Sequence, residues 1–398
     1  MTNEEFIHLH RREDTRKLAL QCIPDGVDVK YCLQQIDGWQ VACRKLPLWA
    51  ATDGLLYPPR LAMEQCSSEQ TACYKRDIVM RLLPPEECGR RLMADFTGGF
   101  GVDFSFLAPC FDDALYVERQ EALCAVARHN FPLLGLTHAR VVCADVNASL
   151  PLLQQRFSFL FLDPARRDEM GKKIVLVEDC SPNVRALHDV LLRAAPLVMV
   201  KLSPMLDIAA ALRELPSVAE VHVVSVEGEC KELLLVLRES DECRLFCVNL
   251  GSSDPCFSME KGAFESMKNI DYIDTLPENG YLFEPNASIL KAGVQDALCS
   301  RLQLDGKLHP HSHLYVSRRP VADFPGRSFR IVGWSGFDKR GLKSQLHDVT
   351  QANLTLRNFP STTEALRRRL HLREGGNVYL FATTLADGSH ILVRCEKI

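Results

Sequence analysis

The sequence lacks long apolar runs. No stretch of its 398 residues is both apolar and uncharged over the roughly eighteen residues that a membrane-spanning helix needs. The first residues, with Glu4, Glu5, Arg11 and Arg12, also lack the apolar segment of a signal peptide. These absences predict a cytoplasmic protein with no membrane partner.

The motif Cys-x-x-Cys is absent as well, although the chain has sixteen cysteines. The nearest pair is Cys243 and Cys247, and most of the others lie in apolar runs, as Cys143 does. Free cysteine packs as a small hydrophobe. We therefore expect reduced core thiols rather than disulfides or zinc ligands, and no bound metal.

Basic residues are in the minority before residue 301 and in excess after it. Residues 301–398 hold sixteen Lys and Arg against eight Asp and Glu, whereas the preceding residues hold 31 against 43. This asymmetry predicts an acidic body joined to a basic module that binds a polyanion. Basic residues that merely solvate helix faces are the alternative.

The length predicts several domains. Apolar spacing in residues 1–75 predicts helices at 4–10, 14–22 and 29–46, and a further helix begins at Arg60. From Leu92 onward, apolar strands alternate with helices, as in a parallel sheet. Beyond 92–95, the expected strands are 114–118, 139–144, 157–162 and 197–200, and the expected helices are 120–130, 183–193 and 204–215.

Two later strands, 220–226 and 232–237, are separated by only five residues. That is too few for a helical crossover, so they must pair antiparallel. Five parallel strands followed by a hairpin is the order of the Rossmann-like, seven-stranded sheet of class I methyltransferases, whereas a dinucleotide-binding domain would continue with a helix. The predicted fold class is therefore α/β of this type.

The segment Asp95-Phe96-Thr97-Gly98-Gly99-Phe100-Gly101-Val102-Asp103 predicts a strand end, a tight turn and a helix start. Glycine permits the sharp turn and the close approach of a ligand. Phe104 replaces the third glycine of a dinucleotide fingerprint, and Asp103 would repel a pyrophosphate. A positively charged cofactor fits better, and S-adenosylmethionine carries both a sulfonium and an ammonium group. A purely structural glycine loop is the alternative.

Four successive strands carry an acid at their carboxyl ends, where ligands bind in open parallel sheets: Asp95, Glu118, Asp145 and Asp163. Glu118 lies seventeen residues after Gly101, which is close to the spacing of a ribose-binding acid. Asp145 is expected to accept from the adenine amino group, and Asp95 and Asp103 are expected near the ammonium. A helix cap or a surface position is the alternative for each acid alone.

These residues and Asp163-Pro164-Ala165-Arg166 resemble the motifs of class I S-adenosylmethionine-dependent methyltransferases. The chain from about Arg60 to Leu237 is similar to the bacterial relatives of the RNA cap guanine-N2 methyltransferase group. Their Thr-Pro-Glu-like helix start has Ser67-Ser68-Glu69 as its counterpart here, which implies that Ser68 contacts the cofactor. A capping box of Ser67 with Gln70 is the alternative.

The resemblance implies catalytic roles for Asp163, Pro164 and Arg166, and cofactor contacts from Thr97, Gly98, Gly99 and Gly101. In amino-group methyltransferases the Asp side chain and a following carbonyl accept from the exocyclic amine, and an aromatic residue takes the fourth position. Arg166 departs from this pattern, although a guanidinium can also stack on a base or hold a phosphate. A guanine amino group is therefore one candidate target.

Lys201 and Ser203, which follow the next strand, are expected to contact substrate or simply to end that strand. The segment Val200-Lys201-Leu202-Ser203-Pro204 has no cysteine, and this argues against carbon-5 methylation of a pyrimidine.

The region from about Phe324 resembles the THUMP-like domain attached to such enzymes, which implies RNA, either tRNA or rRNA, as the partner. Its positive surface would come from basic residues that include Arg367, Arg368 and Arg369. Trp334 and Phe337 are candidates for base stacking or for the core.

Four domains are expected. They are an N-terminal helical region (1–75), a methyltransferase domain (76–250), a small α/β linker domain with a ferredoxin-like fold as one option (251–322), and a THUMP-like RNA-binding domain (323–398). A catalytically silent RNA-binding protein and a small-molecule or protein methyltransferase remain the alternative functions, and the oligomeric state is left open.

Overall fold

The computed structural model describes residues 1–21, 24–83, 89–146, 150–166, 177–253, 255–260 and 270–398. The chain divides into two compact units, and the boundary passes through one hairpin. The first unit comprises Met1–Ala219 and Leu234–Asp241, and the second comprises Glu220–Leu233 and Glu242–Ile398. No helix in the described ranges is long and apolar enough to cross a membrane.

The first unit begins with helices: α1 (Asn3–His10), α2 (Thr15–Leu18), α3 (Val29–Lys45), α4 (Pro47–Ala50), α5 (Arg60–Gln65) and α6 (Glu69–Leu82). The third helix begins at its predicted residue because Asp28 accepts a hydrogen bond from the Tyr31 N–H at 3.0 Å. The helix predicted at 14–22 is wrong in extent. It covers one turn, in which Asp14 accepts from the N–H groups of Arg16 and Lys17 and thus caps the start.

The parallel strands and their connections follow: β1 (Leu92–Asp95), α7 (Val102–Leu107), β2 (Asp113–Glu118), α8 (Glu121–Leu133), β3 (Ala139–Cys143), β4 (Phe159–Leu162), β5 (Ala165–Arg166), β6 (Cys180–Ser181), α9 (Val184–Ala194), β7 (Val198–Leu202) and α10 (Ile208–Glu214). Strands β1, β2, β3, β4 and β7 pair parallel, which confirms the five predicted parallel strands. Every residue of β4 is buried, as its apolar run predicts. Strands β5 and β6 pair separately and antiparallel.

The predicted hairpin is formed by β8 (Val218–Val226) and β9 (Glu229–Leu237). Its turn has only two residues, Glu227 and Gly228, and both have positive φ, at 51° and 80°. Such a turn matches the twist of antiparallel strands. In the sheet, β9 lies between β7 and β8, so the order along the seven strands is β3-β2-β1-β4-β7-β9-β8.

Two strands beyond the predicted seven extend this sheet. They are β10 (Arg244–Leu250), parallel to β8, and β11 (Phe257–Glu260), antiparallel to β10. The apolar run Leu245-Phe246-Cys247-Val248 is typical of a strand, whereas β11 has apolar side chains only at Phe257 and Met259, too few for a clear strand pattern.

The rest of the second unit contains β12 (Tyr281–Pro285), α11 (Ala287–Ala292), α12 (Gln295–Leu302), β13 (Gly306–Lys307), β14 (Tyr315–Ser317), β15 (Gly326–Gly336), α13 (Lys339–Leu346), β16 (Gln351–Arg357), α14 (Thr363–Arg369), β17 (Arg373–Thr384) and β18 (His390–Lys397). The seven strands form one sheet in the order β13-β14-β12-β15-β18-β17-β16. Buried side chains such as Phe329 and Phe381 form its core. Strands β17 and β18 form an antiparallel hairpin.

Candidate active site

The glycine turn joins β1 to α7 in a shape that larger residues would not allow. Gly99 and Gly101 have φ of +56° and +85°, in the region that glycine adopts without strain. A Cβ on Gly98 would lie 2.2 Å from the Tyr116 ring. The hydroxyl of Tyr116 in turn donates to the carbonyl of Gly99. The turn is therefore fixed against β2 by an aromatic side chain, and its backbone is open to close approach.

Asp95 and Asp163 are joined through one threonine. The Oδ1 atom of Asp95 accepts from the backbone N–H of Thr97 at 2.9 Å and from its hydroxyl at 3.2 Å. The Thr97 hydroxyl oxygen accepts from the backbone N–H of Asp163 at 2.5 Å. The structure thus brings together the ends of β1 and β4, as the sequence predicts.

Asp95 is 1% exposed, and its pKa differs from that of an ordinary carboxyl group. Burial raises its pKa well above the usual carboxyl value, the hydrogen bond from the Thr97 N–H acts in the opposite direction, and the carboxylates of Asp103 and Asp163 add to the rise. A cationic ligand at this position would favour the ionised form.

Glu118 holds the glycine turn from the neighbouring strand. Its Oε2 accepts from the Gly99 N–H at 2.9 Å, and its Oε1 accepts from the Gln120 N–H at 2.8 Å. Each carboxylate oxygen can accept a second hydrogen bond, so the same side chain can also bind the hydroxyl groups of a ribose.

Asp103 is paired within the protein. Its Oδ2 accepts from the Ser67 hydroxyl at 2.7 Å, and its Oδ1 lies 3.1 Å from Nζ of the fully buried Lys75. Lys201 Nζ lies 3.6 Å from Oδ2. Burial alone would raise the pKa of Asp103, but the two ammonium groups outweigh burial and hold that pKa below its usual value. A cofactor ammonium would have to compete with two lysines for this carboxylate.

Lys201, the fourth residue of β7, also contacts the predicted catalytic acid. Its Nζ lies 2.6 Å from Oδ2 of Asp163. Lys201 therefore bridges Asp103 and Asp163, which come from α7 and from the end of β4. These two ion pairs differ from the sequence-based prediction, in which Lys201 contacts substrate or ends its strand.

Pro164 is buried, and the next two residues form β5, which pairs with β6. The side chain of Arg166 lies outside the described part of the chain. The backbone after Asp163 is thus extended and held by a second strand, which fixes the carbonyls that follow this acid.

The three other predicted contact residues are Ser68, Ser203 and Asp145. Ser68 caps α6 by accepting from the Thr71 N–H at 3.3 Å, so the predicted capping box of Ser67 with Gln70 is wrong by one residue. Ser203 accepts from the Met205 N–H at 3.3 Å, which is a turn contact. Asp145 follows β3 and is exposed.

Sequence reasoning missed Ser67 and Lys75. Lys75 is 0% exposed and lies four residues after Thr71 on the inward face of α6. A single lysine among apolar residues at helical spacing was the available signal, because a buried ammonium must find a carboxylate. Asp103, the acid of the glycine segment, is that partner.

The predicted basic segment lies on α14 in the second unit. Arg368 and Arg369 are exposed, whereas Arg367 pairs with Glu374 at 3.3 Å. Phe337 packs against Phe359 with ring centroids 4.7 Å apart, which favours its assignment to the core. Trp334 likewise packs against a buried cluster of this unit.

The first unit's site fits S-adenosylmethionine in its donor set. The turn offers close backbone approach, Glu118 offers acceptors for ribose, and Asp95 offers a buried carboxylate whose ionisation a cation would favour. A free anion such as pyrophosphate would meet acids along this rim.

Known proteins resemble this chain both in single domains and over most of its length. Residues 326–397 match the family model described as THUMP domain-like, and residues 281–325 match a ferredoxin-like domain model. A crystal structure described as a "putative methyltransferase" from Porphyromonas gingivalis W83 is similar at a TM-score of 0.85 and 32% identity, covering 99% of this chain and 97% of that chain. Curated proteins from two strains of Mycobacterium tuberculosis, CDC 1551 / Oshkosh and ATCC 25618 / H37Rv, are described as uncharacterized S-adenosylmethionine-dependent methyltransferases. Each is 26% identical over 304 residues, which are 75% of this chain and 79% of the relative.

Proposed function

Because the chain belongs to the class I S-adenosylmethionine-dependent methyltransferases that carry a THUMP-like domain, we propose that it methylates a base in RNA. The RNA is a tRNA or an rRNA, the target is a nitrogen such as a guanine amino group, and the reaction takes place in the cytoplasm. Residues 76–250 form the catalytic domain in this proposal, residues 251–322 link it to the RNA-binding module, and residues 323–398 form that module.

The cofactor supplies a methyl group already activated by its sulfonium. The chain's own contribution is alignment and exclusion of water, since methyl transfer is an in-line displacement that gains mainly from positioning. Glu118 holds the ribose and the Gly99 N–H together, Asp95 faces the cationic end, and Asp145 lies at the adenine end. Gly98, Gly99 and Gly101 let the backbone approach. Ser68 and Thr97 secure α6 and the strand end beside it.

Asp163 orients the acceptor. Lys201 holds Oδ2, so Oδ1 is the oxygen aimed at an exocyclic N–H, and the buried Pro164 fixes the carbonyl that accepts the second N–H. This pair of acceptors directs the nitrogen lone pair toward the methyl group. Asp163, Pro164 and Arg166 are therefore the proposed catalytic residues, with Arg166 contacting the base or its phosphate.

The observation that carries the proposal is the hydrogen-bonded link from Asp95 through Thr97 to Asp163. Thr97 hydrogen-bonds to Asp95, which lies beside the cofactor in this proposal, and to the backbone of Asp163, which lies beside the acceptor. One side chain would therefore align the methyl donor with the nucleophile. The support for RNA is separate. It rests on the THUMP domain-like match and on the excess of basic residues after residue 301.

The test compares methylated nucleosides in total RNA from cells with and without the gene, followed by methylation of the depleted RNA with purified protein and labelled S-adenosylmethionine. We expect one methylated nucleoside to disappear and to be restored by the wild-type chain but not by Asp163→Ala. Retained cofactor binding with no methylated nucleoside lost would refute the RNA substrate. Labelling of protein or metabolite fractions without RNA would instead support the alternative acceptors.

A further inference from the structure

Two cysteines and one glutamate converge where α8 meets the end of β3. Glu121 and Cys124 lie one turn apart on the helix, and Cys143 is the last residue of the strand. One carboxylate oxygen and the two sulfur atoms all lie within 4.8 Å of one another. Cys124 is buried and the other two residues are exposed, so the group is accessible from solvent on one side.

The register of the sheet produces this convergence. Glu118 of β2 pairs with Cys143 of β3, and the chain turns from Glu118 almost at once into α8. The thiol of Cys124 donates to the carbonyl of Glu118 at 3.2 Å and holds the first turn of the helix over the strand ends. The methyl-transfer chemistry described above uses none of the three converging side chains.

Contrary to the sequence-based expectation of core thiols without a metal, we propose that Glu121, Cys124 and the exposed Cys143 bind a thiophilic divalent cation, with Zn²⁺ as the occupant. Zinc is bound in proteins by thiolate, imidazole and carboxylate groups, typically four in a tetrahedron. Calcium and magnesium take oxygen ligands, so two sulfurs exclude them. Three protein ligands leave the fourth position to water.

A metal ion at this site must displace the thiol protons of the two cysteines and compete with the cation paired with Glu121. Both thiols donate to backbone carbonyls, Cys124 to Glu118 at 3.2 Å and Cys143 to Arg119 at 3.7 Å. Arg128 pairs with Glu121 at 2.7 Å. Zinc therefore replaces two thiol protons and shares Glu121 with a guanidinium.

The test uses the full-length chain, freed of metal with a chelator and kept under reductant, and titrates it first with Co²⁺ and then with Zn²⁺. We expect thiolate-to-cobalt charge-transfer absorption together with the d–d bands of tetrahedral cobalt, both removed by Zn²⁺. The readout is binding alone, so it does not depend on any methyltransferase activity.

Matched variants decide the assignment. Cys143→Ser changes an exposed thiol and should weaken Zn²⁺ binding by at least about tenfold, the smallest loss expected when even an outer-shell partner is removed. Glu121→Gln should weaken binding without removing a sulfur, which avoids the folding risk of changing the buried Cys124. Cys43→Ser and Cys256→Ser, at other exposed cysteines, should change nothing. An unchanged cobalt spectrum in Cys143→Ser, or no charge-transfer band in the wild type, would overturn the proposal.

Discussion

The ammonium group of Lys201 lies 2.6 Å from a carboxylate oxygen of Asp163. The lysine side chain is 12% exposed and the aspartate side chain 39%, so the pair lies at the edge of the site with its cation inside. A short contact with an ammonium group restricts the rotation of the carboxylate. In the proposed mechanism Lys201 is therefore a positioning residue for Asp163, the acid proposed to orient the acceptor.

Replacing Lys201 should impair turnover more than cofactor binding. In Lys201→Met the carboxylate of Asp163 loses its anchor, and we expect kcat to fall about a hundredfold, the cost of misplacing a reacting group by about 1 Å. Lys201→Arg should recover part of the rate, and Lys231→Met, which breaks an exposed pair with Glu229, should be neutral. Steady-state methylation of the substrate RNA measures kcat and KM separately. A rise in KM alone would mean that Lys201 contacts substrate directly.

Glu118→Gln should weaken cofactor binding. The substitution preserves shape but replaces a carboxylate that accepts from the Gly99 N–H by an amide, and in the proposed site it removes one charge-assisted hydrogen bond to the ribose, worth about 1.5–3 kcal/mol. We expect the Kd for S-adenosylmethionine to rise by roughly tenfold to a hundredfold. Isothermal titration calorimetry provides the measurement, and Glu64→Gln, at an exposed residue bonded to Arg60, is the control. Equal affinities in the two variants would remove Glu118 from the cofactor site.

Cofactor affinity should rise with pH through the raised pKa of Asp95. In the free protein burial favours the protonated carboxyl, whereas a cationic ligand favours the carboxylate, so binding releases a proton below that pKa. The affinity gain therefore begins above the ordinary carboxyl value of about 4 and ends once Asp95 is ionised in the free protein. Calorimetry below pH 7, where the cofactor's amino group stays charged, measures the affinity. Repeating it in buffers of different ionisation enthalpy measures the number of protons released. Asp95→Asn should bind more weakly with a flat profile, and the same slope in both proteins would contradict this origin.

The sequence was sufficient for seven strands of the first sheet but not for the pairing of charges at their ends. Apolar runs and connection lengths predicted five parallel strands and a hairpin, because strand burial and chain reach are local properties. The partners of Asp103 were not predictable in this way. Lys75 comes from α6 and Lys201 from β7, and only tertiary packing brings these two ammonium groups to one carboxylate.

Tertiary contacts that the sequence does not reveal also explain two errors, at the start of α6 and at strand β11. Ser67 and Ser68 are adjacent serines with equal capping propensity, and the register of α6 against Asp103 decides which one caps. Strand β11 was missed because its four residues have only two apolar side chains, Phe257 and Met259, and its pairing with β10 supplies the rest. Long-range contacts override weak local preference in both cases.

Glu284 should stabilise the sheet of the second unit. It is 3% exposed, and its two oxygens accept from Arg327 at 2.6 Å and from Arg357 at 2.7 Å. Breaking a fully buried pair costs about 3–5 kcal/mol, and solvent at the half-exposed arginines should reduce this to roughly 2 kcal/mol in Glu284→Gln. Hydrogen exchange in β12 and β15 should accelerate accordingly. Glu396→Gln, at an exposed pair with Arg330, should leave it unchanged.

RNA binding should depend on Arg368 through phosphate contacts alone. Arg368 is exposed on α14, whereas Arg367 is tied to Glu374, so Arg368→Ala removes charge without disturbing the fold. Each phosphate neutralised releases counterions, so the slope of log K against log salt should fall by about 1 and binding should weaken uniformly across RNA sequences. Fluorescence anisotropy at several salt concentrations gives both quantities. Arg16→Ala, at an exposed arginine of the first unit, is the matched control. Every arginine that neutralises a phosphate increases the salt dependence of binding, because counterions are released from the RNA. An unchanged slope in Arg368→Ala would therefore show that Arg368 does not contact phosphate.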